Sequence, residues 1–117
     1  MNRYLQAYMQ NDVTTASPKT IIVRLHEKAL VDVQQAHQAW QNHNLDVMRT
    51  HITYIQDIIS YFHTSLDPSV EVSDTLAGLY RYYLVRLANI FVDPSEEAFA
   101  EVKQFLEEWT ATWRKAE

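Results

Sequence analysis

Apolar side chains recur along this chain in alternating steps of three and four. Ile22, Leu25, Ala29, Val33, Ala36 and Trp40 form one such series, and Met48, Ile52, Ile55, Ile59 and Phe62 a second. Leu76, Leu79, Tyr83, Leu87 and Ile90 form a third, and Phe99, Val102, Leu106, Trp109 and Trp113 a fourth. Steps of three and four keep side chains on one face of an α-helix. The pattern predicts four helices, over about residues 18–41, 45–65, 72–91 and 94–116.

The punctuation between the series agrees. A single glycine and three prolines leave few places for the chain to turn. Ser17-Pro18 and Asp93-Pro94 each read as a helix cap followed by proline in the first turn, and Glu96, three residues after Asp93, suggests a capping box. Asp67-Pro68 breaks the chain between the second and third series. Connections this short force successive helices to run antiparallel. The expected fold is therefore all-α, an antiparallel up-and-down four-helix bundle over residues 17–117. Residues 1–16 stand apart: Tyr4, Leu5, Tyr8 and Met9 make a short apolar patch, which Thr14-Thr15 interrupts. They read either as a frayed end or as an arm docked on the bundle.

Composition narrows the class. A chain of 117 residues has room for one domain, and 47% hydrophobic residues suffice for a continuous core. There is no cysteine, which excludes disulfides and cysteine-based zinc or redox sites. No apolar run approaches the length of a signal or membrane-spanning segment, so the expected location is the cytoplasm, without membrane insertion. The net charge of −5, with ten scattered Lys and Arg, does not suit a nucleic-acid partner. Seven of the fifteen acids fall between Asp93 and Glu117, the pattern of a solvated acidic helix face.

Catalytic chemistry finds no footing. Glu-x-x-His, the ligand pair of di-iron bundles, does not occur, and His26-Glu27 is not completed by a second histidine at Leu30. His26, His37, His43, His51 and His63 are spaced as surface or boundary residues, with His43 at a turn. No serine lies in a nucleophile elbow, and one glycine cannot make a phosphate loop. The expectation is a non-enzyme with neither metal nor cofactor.

Helices two and three carry more apolar residues than one core stripe requires. Tyr54, Ile58 and Tyr61 form an extra row on the second, and Tyr80, Leu84 and Phe91 on the third, with Tyr82 and Val85 further round. Either these rows face two neighbouring helices, or part of them is an exposed strip for a partner or for a second copy of the chain. Tyrosine suits such a strip, having a large apolar ring with a polar tip. The groove expected on this pattern is lined by Tyr54, Ile55, Ile58, Tyr61, Phe62, Leu79, Tyr80, Tyr83, Leu84 and Leu87. Ala77-Gly78 adds a shallow spot for the close approach of another helix, with one of the chain's own helices slightly favoured.

Several short stretches resemble the flagellar secretion chaperone family FliS. Tyr8-Met9-Gln10-Asn11-Asp12-Val13-Thr14-Thr15-Ala16-Ser17-Pro18 is similar to the family's entrance segment, and Gln56-Asp57-Ile58-Ile59 with Ser65-Leu66-Asp67 to its second helix and exit. Leu79-Tyr80-x-Tyr82 with Arg86-Leu87 resembles the third helix, and Glu101-Val102 with Trp113-Arg114-Lys115-Ala116 the last. The chain departs from the family at His26-Glu27-Lys28, where Tyr or Phe, Asp or Asn, and Gly are usual. It departs again at Tyr54, where a basic residue is common.

The resemblance implies an export chaperone that holds the disordered C-terminal segment of flagellin, prevents premature polymerisation and delivers it to a component of the flagellar export gate. It also implies that the arm, through Leu5, Tyr8 and Asn11, covers part of the groove until flagellin displaces it. A monomer or weak homodimer is expected. The alternative is a helical homo-oligomer that pairs through the same strip.

Overall fold

The computed structural model describes residues 18–115. The expected arm and the Ser17 cap lie outside the described residues. Among the described residues there are four α-helices: α1 (Pro18–Gln41), α2 (Leu45–Thr64), α3 (Ser73–Val92) and α4 (Glu96–Lys115). No strand is present among the described residues.

Three different turn chemistries join them. After α1, the N–H of Asn44 donates to the Ala39 carbonyl at 2.8 Å and that of His43 to Trp40 at 2.9 Å. This nested pair is a Schellman motif, and its left-handed position is His43, at φ 61°. Asn44 then caps α2, its side chain accepting from Val47 N–H at 3.2 Å. Between α2 and α3 the Asp67 carboxylate accepts from the Ser69 N–H and hydroxyl, and the buried Ser73 hydroxyl donates to the Asp67 carbonyl.

The third turn differs from the sequence expectation. Asp93 closes α3 through its N–H to Asn89 and does not open α4. Ser95 is the cap, its hydroxyl accepting from Ala98 N–H at 3.1 Å. Pro94 therefore precedes α4, and no capping box with Glu96 forms.

The helices form a ring in which each packs on two neighbours: α1 on α2 and α4, and α3 on α2 and α4. Cross-helix pairs fix the directions. Asp32 with His51, Arg49 with Phe91, Arg86 with Glu101 and His37 with Glu96 are all antiparallel partners. Leu25, Ala29, Val33 and Ala36 meet Met48, Ile52, Ile55, Ile58 and Ile59 at the centre, and Leu87, Ile90, Phe99, Val102 and Leu106 complete the core. Burying each large aliphatic side chain here contributes about 2 kcal/mol. The α3–α4 seam is the loosest, bridged by side chains and little backbone approach. Tyr83 stacks on Phe105 with centroids 3.8 Å apart, and Glu101 accepts from Tyr82 and from Arg86 Nε at 2.6 Å.

Gly78 sits mid-helix in α3. Among the described residues a Cβ added there meets only the end of the Arg81 side chain, at 3.9 Å, so none of the four helices uses the shallow spot as its approach. Gly78→Ala is expected to stabilise the chain by about 1 kcal/mol, read as a higher midpoint in urea unfolding.

Candidate functional site

The end of the bundle where α1 and α3 begin and α2 and α4 finish does not close over completely. It leaves an apolar pocket lined by Ile22 of α1, Tyr61, Phe62 and Ser65 at the end of α2, Leu66 of the following loop, Leu76 and Tyr80 of α3, and Trp113 of α4. None of these side chains is charged. The Asp67–Ser73 lock spans the α2–α3 connection at this end, and the three-residue turn at Asn42–Asn44 lies at the opposite one.

His26 forms the layer beneath. It is 1% exposed and stacks on Phe62, centroids 4.3 Å apart and nearly parallel, with the Trp113 ring 6.2 Å away. Its Nδ1 lies 2.9 Å from the Ile22 carbonyl, an acceptor, so Nδ1 carries the proton and Nε2 is left as a lone pair. Among the described residues no hydrogen-bond partner meets that buried Nε2. Burial pushes the imidazole down to about 4, only partly opposed by the bond to Ile22, so it is neutral near pH 7. The surface or boundary position expected of the histidines therefore fails at His26. The spacing held the signal: His26 follows Ile22 by four and precedes Ala29 by three, on the core stripe.

The ten groove residues expected from sequence do not make one strip. Ile55, Ile58 and Leu87 are wholly in the core, and Phe62 and Tyr80 are buried. The reason is that α2 must cover both α1 and α3, so its extra row is a second core stripe. The Tyr80 hydroxyl accepts from Trp109 Nε1 at 3.2 Å, and burial raises its phenol. The half-buried remainder divides by neighbour. Tyr54 lies under the Lys28 ammonium on the α1 side, and Tyr83 stacks against α4, while Leu79 and Leu84 flank the core edge of α3. Tyr61, Phe62 and Tyr80 are brought together, at the pocket. Sequence reading placed Ile22, Leu76 and Trp113 only in the core stripes and gave Leu66 no role. Leu5, Tyr8 and Asn11 lie outside the described residues.

A second apolar feature runs along α3. By composition α3 is the most apolar of the four helices, yet Tyr80, Leu87 and Ile90 are its only fully buried apolar side chains. Val85 is 60% and Val92 78% exposed, with Tyr82 close behind. Among the described residues no group of three or more His, Asp or Glu is placed to hold a metal, and no helix is long and apolar enough to cross a membrane.

Comparison with known proteins adds an independent line. The model of a family described as "Flagellar protein FliS" matches residues 1–117. The chain is also similar to the flagellar secretion chaperone FliS of Bacillus subtilis (strain 168), with 26% identity over 110 residues, covering 94% of this chain and 83% of that one.

The buried imidazole gives a pH dependence of fixed sign. Its ordinary value is 6.5 and its folded value about 4, so between these the unfolded chain binds a proton that the folded chain excludes. Stability falls as pH is lowered through that window, by about 3 kcal/mol from this group. Urea unfolding at stepped pH should show a shallower fall for His26→Phe than for the native chain.

Proposed function

The chain belongs to the flagellar protein FliS family, and from that premise we propose that it is a flagellar export chaperone whose client is the C-terminal segment of flagellin. The observation that carries this reading is the pocket at the end of the bundle, lined by all four helices and without a charged side chain. A disordered segment that becomes helical can bury an apolar face on such a surface, with pocket-filling side chains providing most of the affinity. The partner's ordering entropy is offset by apolar burial, which leaves a negative heat-capacity change on binding.

The bundle supplies rigidity and no chemistry: the partner is held, kept from self-association and released to a component of the export gate. The arm acts as a lid. It joins α1 at Pro18, about one helical turn from Ile22 in the pocket wall. Leu5 and Tyr8, with Asn11 beside them, are short enough a tether away to cover the pocket in the free chain. A covered pocket lowers the apparent affinity by the fraction of chains that are open.

Calorimetric titration with a peptide of the flagellin C-terminal segment should give one-to-one binding with negative heat-capacity change. Tyr61→Ala should weaken it by about tenfold or more while the far-ultraviolet dichroism stays helical. An absence of binding by the native chain would count against flagellin as the client. Removing residues 1–16 should raise the association rate; an unchanged rate argues against the lid and leaves the pocket reading in place.

A further inference from the structure

The unpaired nitrogen of His26, in the layer behind the pocket wall, is a feature that apolar burial does not explain. A buried acceptor without a donor costs about 1–3 kcal/mol, and phenylalanine in the same stack on Phe62 would avoid that cost. Three of the residues that line the pocket, Ile22, Phe62 and Trp113, are also those that contact His26. The imidazole is thus the next layer behind the pocket wall.

We propose that His26 is the polar specificity determinant of the pocket: the segment that fills it brings a neutral hydrogen-bond donor to His26 Nε2 beside its apolar side chain. This inference rests on the chaperone reading and names what that site selects.

The identity of the donor follows from what surrounds it. With Nδ1–H committed to the Ile22 carbonyl, Nε2 can only accept. A carboxylate would face that lone pair with no cation in the pocket, and an ammonium would be buried with no carboxylate in the lining. A hydroxyl, a side-chain amide, an indole N–H or a free backbone N–H of a helix's first turn meets both conditions. The low affinity of the imidazole for protons keeps Nε2 an acceptor throughout the neutral range. Nε2 is buried, so the donor reaches it only if the wall yields; Trp113, half-buried on the last turn of α4 with its ring 6.2 Å from His26, is the wall residue to which the proposal gives that movement.

The test uses the full-length chain labelled with nitrogen-15 and the flagellin C-terminal peptide as probe. On saturation the His26 Nε2 resonance should move in the direction of a hydrogen-bonded imidazole nitrogen, and His26→Phe should bind the peptide about tenfold more weakly, the equivalent of one net hydrogen bond. The same variant should be the more stable of the two when free. An unmoved Nε2 resonance with the peptide bound, or an affinity of His26→Phe within twofold of native, overturns the role of His26 while the chaperone reading stands. Failure of the native chain to bind the peptide overturns both.

Discussion

Six side chains of α2, Met48, Ile52, Ile55, Ile58, Ile59 and Phe62, are buried against α1 on one side and α3 on the other. The rest of the bundle is arranged around that double burial. α1 is held to α2 by the tight turn at His43 and by the buried Asp32 carboxylate, whose Oδ1 takes both Lys28 at 2.6 Å and His51 at 2.9 Å. α4 closes the ring from the α1 side, where His37 accepts from Lys103 and donates to Glu96 while stacking on Phe99. By the time α3 is reached, most of the core is already filled. It contributes few buried side chains, and its apolar surplus faces outward.

That uneven demand separates scaffold from site. The end of the ring carrying the Schellman turn and the Ser95 cap satisfies its backbone groups with short local bonds. At the other end the α2–α3 connection is longer and the aromatic residues Tyr61, Phe62, Tyr80 and Trp113 meet without interdigitating fully. Large rings set far apart leave a gap, and a gap with no charged rim is a place for an apolar side chain from elsewhere. The looseness of the α3–α4 seam has the same origin, since stacked rings such as Tyr83 on Phe105 hold two helices apart as well as together.

The four helices and their order were legible in the sequence because α1 and α4 each carry a clean stripe with polar residues opposite, and α2 carries two adjoining ones. The phase of α3 was not. The periodic series took Leu76, Leu79 and Tyr83 among its core positions, but with apolar residues on nearly every side the buried place went to Tyr80, through its neighbours Phe62 and Trp109, and those three are only half-buried. Asp93-Pro94-Ser95 offered two capping residues in three, and the turn needed one for each helix. The pocket was legible only in pieces, since it joins residues from four separate stripes. His26 was passed over because histidine is usually wet, although its spacing placed it on the buried face.

The chain enters the bundle at Pro18 and leaves it at Lys115, and both points lie at the end that carries the pocket. Whatever is joined to either point becomes an intramolecular ligand, present at an effective concentration in the millimolar range for a short flexible tether. Apparent affinity is then a property of the tether as well as of the pocket. A tag or fusion partner placed at either end enters that competition, whereas a label at Asn42 or Ser95, on the far side of the bundle, stays out of it.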